Sequence, residues 1–434
     1  MLNRLLFNLP FLIVTALWLC SCLSVPPEAA PIPSVASTTS LPTIKILIET
    51  NASPTQTDTF PKTPTPPTTP GSAKVNGEIT IWHMFGDGTQ EREAFDQVIT
   101  NARETFPDLQ IDAVQIPESE ANRMVQVEFP AGNGPDLILA GNGDLNAWVN
   151  EGLVLNLKNY SGDHWEKFIP IAREGMEVDG APFGLPLSID LPVLYYHHST
   201  LEKPPYTDEE LMQQVKSGIR PAILIDPYDL YGWSVAFGGD LFGETGRCIA
   251  DQAGWSNYLN YLIQLKEAGA LFETDYAEAR AQFLSGEVDI FLDNIRLLNE
   301  YREILGGDIG VTPLPDGPSG PASPWVNLEG VYVNSYSEDI PAALELAVFL
   351  TNRESAQLFA DVIGRIPVRT DIVLNDPELE KLLASVNHSE PMLPKEIAVN
   401  YWLAFGELFR QVLEDQISPQ EGLVQACAMI NSDH

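Results

Sequence analysis

The sequence predicts a chain of two α/β lobes, and three observations support that fold class. The chain has 434 residues, more than the roughly 100–200 residues of a typical domain. Residues 77–140 alternate strand and helix patterns, an order that indicates a parallel sheet with helices on both faces. Later segments carry apolar stripes at helical spacing, and the 44% hydrophobic content excludes a wholly disordered chain.

The first half of the folded body has a βαβαβ pattern. Ile79 and Ile81 fall on one face of the first strand because side chains alternate along a strand. The predicted elements are a strand at 77–83, a helix at 94–106, a strand at 109–113, a helix at 120–129 and a strand at 137–140. In such folds ligands lie beyond the carboxyl ends of the strands or between lobes.

The second half is richer in helices. Apolar stripes run through residues 255–263 and 397–412. Thr207 with Glu210, and Ser418 with Glu421, form the pattern of a capping box at two helix starts. Residues 288–292 form a further buried strand, and 187–196 form a near-buried one.

The N-terminus has the pattern of a lipoprotein export signal. Arg4 precedes a 15-residue apolar stretch, which suits a secretory signal and is short for a membrane-spanning helix. Leu19-Cys20-Ser21-Cys22 resembles the bacterial lipobox. We therefore expect a signal peptide at 1–21 and lipidation of Cys22, with an ordinary signal peptide as the alternative.

Residues 22–72 are expected to form a tether between the lipidated cysteine and the folded body. The 48 residues from 25 to 72 contain 11 Pro and 11 Thr, a composition typical of an extended linker. No long apolar run follows the first 25 residues, so we expect membrane attachment by the lipid anchor only.

Composition also limits the partners. The chain carries 60 acidic and 24 basic residues, a formal net charge of −36, which argues against binding nucleic acid.

Cys248 and Cys427 lie outside any CxxC pattern, so we expect no structural metal site and no cofactor. Whether these two cysteines form a disulfide is left open by the sequence.

A series of short motifs makes the body resemble an extracellular solute-binding protein of an ABC importer, in the branch of maltose-binding-protein-like carbohydrate receptors. The matching stretches are Ile79–His83, Ala131–Leu139, Trp148–Leu153, Gly184–Pro186 with Leu194–Tyr196, Phe283–Glu287, Val331–Phe349 and Gly364–Pro367. They occur in the family's order along most of the body. His197 and His198 replace the family's usual Asn-Lys.

The resemblance implies a type II periplasmic binding fold with three crossings between lobes, near Asp190, Gly330 and Asp371. The N-terminal lobe would comprise residues 73–189 and 330–371, and the C-terminal lobe residues 190–329 and 372–434. It further implies a non-enzymatic, monomeric receptor outside the cytoplasmic membrane. Such a receptor captures a small solute, most simply a sugar, and passes it to membrane permease subunits.

Three residues are the leading candidates for ligand contacts, since a sugar needs aromatic platforms and hydrogen-bond acceptors. Trp82 lies near the carboxyl end of the first strand, with core packing as the alternative. Asp190 matches the family's hinge-adjacent acid, and a buried acid is costly without partners. Trp402 matches a stacking tryptophan by its distance from the following Ser-Pro cap, although a place in the buried helical stripe would also explain it.

Seven further residues complete the candidate site: Asp87, Asn142, Asp144, Trp233, Arg296, Trp325 and Glu329. Asn142 and Asp144 follow the third strand, and Trp325 and Glu329 flank the expected second crossing. Arg296 stands where the family has a stacking tryptophan, which raises an acidic or phosphorylated solute as an alternative ligand.

Other functions are also open at this point. A secreted glycoside hydrolase would need a pair of carboxylates, which 60 acidic residues supply by chance. A surface spacer protein would explain the tether but not the motif order. Tyr195-Tyr196 beside His197-His198 could suggest iron, but adjacent strand residues face opposite sides and the family's strand explains them without metal.

Overall fold

The computed structural model describes residues 75–432 apart from 161, 253 and 394. The predicted signal peptide, the tether and the lipidation site at Cys22 lie outside the described residues. Within them, no helix combines the length and the apolar character that crossing a bilayer requires.

The described chain is a mixed α/β structure. Its strands are β1 (Gly77–His83), β2 (Leu109–Gln115), β3 (Leu137–Gly141), β4 (Glu177–Val178), β5 (Ala181–Pro182), β6 (Leu185–Asp190), β7 (Pro192–His197), β8 (Pro221–Leu224), β9 (Leu271–Glu273), β10 (Ile290–Asn294), β11 (Ile309–Thr312), β12 (Trp325–Val333), β13 (Ile366–Pro367) and β14 (Glu390–Pro391). Its helices are α1 (Gln90–Thr105), α2 (Glu118–Glu128), α3 (Leu145–Asn150), α4 (Gly162–Trp165), α5 (Pro170–Glu174), α6 (Asp208–Lys216), α7 (Pro227–Ala236), α8 (Trp255–Ala268), α9 (Tyr276–Leu284), α10 (Leu298–Leu305), α11 (Ile340–Leu350), α12 (Arg353–Ile363), α13 (Pro377–Val386), α14 (Lys395–Leu413) and α15 (Pro419–Asn431).

The first sheet confirms the predicted βαβαβ order. Its strands follow the order β13-β6-β12-β3-β1-β2, with β14 paired to β12. β1 pairs in parallel with both β2 and β3. Ile79, Ile81 and, on α1, Phe95 are fully buried in one hydrophobic cluster. Helix α1 begins after Thr89, whose side-chain oxygen accepts a hydrogen bond from the amide of Arg92.

The second sheet has the order β11-β7-β10-β8-β9. β10 pairs antiparallel with β7 and parallel with β8, and it covers most of the predicted strand at 288–292. A second hydrophobic cluster is associated with this sheet and includes Trp255 on α8 together with Tyr401 and Phe405 on α14. The predicted capping box of Thr207 and Glu210 is present at the start of α6.

The chain passes from the first sheet to the second between β6 and β7. The predicted single strand at 187–196 is wrong, because β6 ends at Asp190 in the first sheet and β7 begins at Pro192 in the second. Pro192 has no N–H with which to continue a ladder of hydrogen bonds, which fits a break at this point.

The return to the first sheet occurs earlier than the resemblance implied. β12 begins at Trp325, and Asn327 already pairs with Asp190 on β6. Residues 327–329 pair with β6 of the first sheet although the resemblance places them in the C-terminal lobe, whereas Trp325 packs in the second hydrophobic cluster. The register of β12 on β6 shifts between Glu329 and Gly330, at the expected crossing. The other lobe boundaries remain predictions.

A disulfide joins Cys248 to Cys427, with the two Cα atoms 5.1 Å apart. Both cysteines are buried in the second hydrophobic cluster. The bond therefore attaches the C-terminal helix α15 to the segment that precedes α8. This settles the pairing that the sequence left open.

Candidate functional site

A cavity of about 1160 Å³ is lined by elements associated with both sheets. One side consists of the loop after β1, the turn after β3, the ends of β6 and β12, and the residues before β13. The other side consists of the turn after β10, the helix α10 and the start of α14.

The ends of strands place polar groups around this cavity. The carboxyl ends of the parallel strands β1 and β3 lie at one edge of the first sheet, because parallel neighbours end on the same side. A short 3₁₀ turn at Asn142–Asp144 follows β3, and another at Ile295–Leu297 follows β10. Both turns contribute to the lining.

Asp190 lies at the end of β6, where the chain leaves the first sheet, and lines the cavity. No described residue forms a hydrogen bond with its buried Oδ1. Its Oδ2 lies 4.0 Å from Arg296 Nε, beyond hydrogen-bond distance. Burial raises the pKa of Asp190 to about 7, although the charges of Arg296 and Arg365 and the nearby backbone N–H of Arg296 oppose that rise.

Arg365 connects three elements at the floor of the cavity. This residue is only 8% exposed. Its guanidinium donates to Ser188 Oγ on β6 at 2.6 Å, to Glu91 Oε1 on α1 at 2.5 Å, and to the Glu329 carboxylate on β12. Burial alone would lower the pKa of Arg365, but the charges of Glu329 and Glu91 hold it above its ordinary value, so the side chain is a permanent buried cation.

Two sets of side-chain contacts join the two sides of the cavity. Gln90 at the start of α1 donates to Glu303 on α10, and Asn299 donates to Gln90 Oε1 at 3.3 Å and to the carbonyl of Val362 at 2.8 Å. Elsewhere on the lining, Lys395 and Asp144 form an ion pair. The structure therefore has both sides of the cavity in contact.

The structure brings half of the sequence-predicted site residues together. Those that line the cavity are Asn142, Asp144, Asp190, Arg296 and Glu329. Asn142 already uses its amide within the protein, donating to Gly175 O at 3.0 Å and accepting from the amide of Leu328 at 3.2 Å. The role of these residues as ligand contacts remains a prediction.

The four predicted tryptophans are absent from the lining. Trp82 is 8% exposed and packs near Phe129, with ring centroids 6.2 Å apart. A position near the end of a strand is therefore not sufficient to bring a side chain into the cavity. Trp233 is fully buried and donates to the carbonyl of Pro315.

The other two tryptophans form part of an aromatic stack. Trp325 stacks on Tyr231, with centroids 3.7 Å apart, and Trp402 stacks on Trp325 at 5.9 Å. These contacts give Trp325 and Trp402 a packing role in the second hydrophobic cluster. Asp87 also lies outside the lining and forms an ion pair with Arg92, with 85% of its side chain exposed.

Sequence reasoning missed Arg365, Glu91 and the cross-cavity residues Gln90, Asn299 and Lys395. Arg365 lies inside a motif that resembles the family's, Gly364-Arg-Ile-Pro367, so a signal was present. Among residues 75–432 as described, no group of three or more His, Cys, Asp or Glu side chains is arranged to hold a metal ion.

Two α/β units that share a polar cavity between them define a two-lobed ligand-binding protein. The chain belongs to the bacterial extracellular solute-binding protein family, whose model matches residues 97–384. It is therefore a solute-binding protein that acts outside the cytoplasm. The family consists of binding proteins and not of enzymes.

The chain is also similar to characterised sugar-binding proteins. It is 27% identical to the maltotriose-binding protein of Pyrococcus abyssi over 70% of this chain and 69% of that protein. It is 24% identical to a maltodextrin-binding protein of Bacillus subtilis over 64% of this chain and 72% of that protein. A cyclo/maltodextrin-binding protein solved with maltotetraose matches with a TM-score of 0.73 and 20% identity, covering 84% of this chain and 98% of the other. This likeness confirms the type II periplasmic binding fold.

Proposed function

We propose that this protein captures a small saccharide in the interlobe cavity and delivers it to the permease of an ABC importer. The observation that carries the proposal is a cavity of about 1160 Å³ lined by polar side chains from both lobes. Small-molecule sites usually measure about 300–1,000 Å³, so this one has room for an oligosaccharide. The relatives named for maltotriose and maltodextrin support a sugar as the ligand.

Binding would act through closure of the two lobes. A solute that contacts both lobes makes all its contacts only when they are together, so it shifts the population toward the closed form. We expect a monomer that uses no cofactor and binds no nucleic acid. Small-angle scattering should show a smaller radius of gyration with the correct solute and no change with a solute that does not bind.

Thermal unfolding of the purified protein against a panel of sugars, sugar acids and glycerol phosphates tests the ligand class. A solute at 1,000 times its dissociation constant stabilises the protein by about 4 kcal/mol, which raises the midpoint by several degrees. A sugar that stabilises the protein supports the proposal. The side chain of Arg296 is 57% exposed in the cavity, so stabilisation only by acidic or phosphorylated solutes would favour the alternative ligand class.

The protein is proposed to bind its solute without transforming it. Incubation with chromogenic glycosides should give no turnover above a heat-killed control. Steady release of the chromophore by the native protein would instead favour a glycoside hydrolase.

We further propose that residues 1–21 are removed and that Cys22 is lipidated, so that residues 22–72 connect the binding protein to the membrane. Labelled palmitate should enter the wild-type protein and not the Cys22→Ser variant. Equal labelling of the two proteins would exclude this cysteine as the anchor.

A further inference from the structure

Acidic side chains outnumber basic side chains in the lining of the cavity. Eight carboxylate side chains line it, and they are Glu91, Glu93, Glu118, Asp144, Asp190, Glu300, Glu303 and Glu329. Only three cationic side chains of the described residues do so, and they are Arg296, Arg365 and Lys395. Because a low-dielectric cleft concentrates the field of its lining charges, this cavity attracts cations.

Two of the three cations are already engaged by acids. Arg365 binds the carboxylates of Glu91 and Glu329. Lys395 lies 2.8 Å from Asp144. An anionic solute would therefore find Arg296 as its nearest available positive charge, and it would meet the remaining carboxylates as well. The balance of charge is unfavourable to an acidic solute.

Asp190 is the acid best placed to receive a cation. Its Oδ1 is buried and no described residue donates to it, which is costly unless a ligand supplies the donor. Further acids lie near Asp190, at the start of α7 and on β10. Burial and the nearby charges of Asp226, Asp293 and Asp190 raise the pKa of Asp229, which favours its neutral form.

Two of the neighbouring acids, Asp293 and Asp226, are already bound by protein groups. Asp293 accepts hydrogen bonds from the hydroxyl of Tyr301 at 2.5 Å and from that of Tyr276 at 3.1 Å. Asp226 caps α7 by accepting from the amide of Tyr228 at 2.8 Å. Asp190 therefore combines a place on the cavity wall with an acceptor that has no described partner.

The lining offers little aromatic surface for stacking. Its two aromatic residues, Phe85 and Trp148, are 6% and 1% exposed. The indole N–H of Trp148 also donates to Asn122. Recognition must then come mainly from hydrogen bonds and charge, for which the lining supplies Ser119, Asn299 and Asn327 beside its acids.

We propose that the solute is a saccharide that bears a protonated amine, and that Asp190 accepts the ammonium group. This inference rests on the proposed function and names its ligand class. The amides and hydroxyls of the lining suit the hydroxyl groups of a sugar better than they suit the methylene chain of a polyamine. A hydroxyl and an ammonium group can both donate a hydrogen bond to the carboxylate, but the ammonium adds the Coulomb attraction of a full positive charge, which provides the preference for an amine over a hydroxyl.

Isothermal titration of the purified protein with matched sugars tests this preference. Glucosamine against glucose, galactosamine against galactose, and the β-1,4 glucosamine trisaccharide against cellotriose each exchange an ammonium for a hydroxyl at C2. We expect at least one amino sugar to bind about tenfold more tightly than its partner, which corresponds to about 1.4 kcal/mol. Equal or weaker binding of every amino sugar overturns the inference while leaving the proposed function intact.

Variants assign the preference to Asp190. The measured quantity is the dissociation constant of the neutral sugar divided by that of its amino sugar. In Asp190→Asn this ratio should fall toward one. In Arg296→Gln it should rise because the opposing cation is lost. Asp96→Asn, which changes an exposed acid outside the lining, is the matched control and should keep the wild-type ratio. A wild-type ratio in a folded Asp190→Asn protein overturns the assignment. Absence of binding by every sugar, in these titrations and in the thermal-unfolding panel, overturns the proposed function as well.

Discussion

Lys395 Nζ lies 2.8 Å from Asp144 Oδ1 and joins the first turn of α14 to the turn that follows β3. Lys395 is 55% exposed and Asp144 is 22% exposed, so solvent and salt weaken this pair. Its position matters more than its strength. The pair can form only while the two sides of the cavity are together, so it favours the closed form.

Removal of this ion pair should speed release of the solute. Exposed ion pairs contribute about 0.2–1 kcal/mol, so Lys395→Met should raise the dissociation rate by up to about fivefold. Stopped-flow measurement of the dissociation rate checks this, with Lys216→Met on α6 as a control outside the cavity. A rate equal to that of the wild-type protein would show that the pair has no part in closure.

Arg365 should be important for folding stability. It is 8% exposed and satisfies two carboxylates on different elements, so Arg365→Met leaves Glu91 and Glu329 close together without their cation. Breaking a buried pair costs about 3–5 kcal/mol, and the partial exposure of the two acids favours the lower figure. Urea unfolding of the variant measures the loss.

Arg410→Met is the matched control for this experiment. Arg410 also contacts two acids, Glu407 and Glu414, but on the exposed surface at the end of α14, so we expect little change in stability. Similar losses in the two variants would contradict a special structural role for Arg365.

Local patterns predicted the fold better than they predicted the site. The βαβαβ order depends on the spacing of apolar residues such as Ile79 and Ile81, and neighbours in the chain determine that spacing. Asp190 is predicted both by its match to the family's hinge-adjacent acid and by the cost of an acid in a near-buried segment, and the structure places it on the cavity wall.

The rest of the site depended on distant contacts. Arg365 acquires its partners from α1, β6 and β12, which no local pattern brings together. Aromatic residues suit sugars, which predicts Trp325 and Trp402 in the cleft, but they stack on each other in the second hydrophobic cluster. Periodicity does not distinguish an aromatic platform from an aromatic core residue.

His83 should make the protein less stable in acid. The ring is fully buried, neither of its nitrogens has a hydrogen-bond partner among the described residues, and burial lowers its pKa from 6.5 to about 4. The unfolded chain therefore binds a proton near pH 6.5 that the folded protein does not take up until about pH 4. Stability should fall by about 3 kcal/mol as pH falls between these values.

Unfolding of His83→Phe across this pH range checks the prediction. His164 also has its pKa lowered to about 4 by burial, so the variant should lose part of the acid sensitivity and keep the part that His164 contributes. His198→Gln, which changes an exposed histidine, should retain the wild-type profile. An unchanged pH dependence in His83→Phe would exclude His83 as a source of it.

Binding of an amino sugar should also depend on pH, through Asp190. Burial raises the pKa of this carboxyl to about 7, under the opposing charges of Arg296 and Arg365 and beside Glu329. Below that pH the free protein must release a proton before the carboxylate can accept an ammonium group, so affinity should fall by up to about tenfold per unit as pH falls. Above about pH 8, loss of the proton from the amine should lower the affinity again.

Titrations of the wild-type protein between pH 5 and pH 9 should therefore show a maximum in affinity for the amino sugar. Asp190→Asn should lose the decrease on the acid side because an amide does not titrate. A decrease on the acid side that persists in the Asn variant would assign the titration to another group.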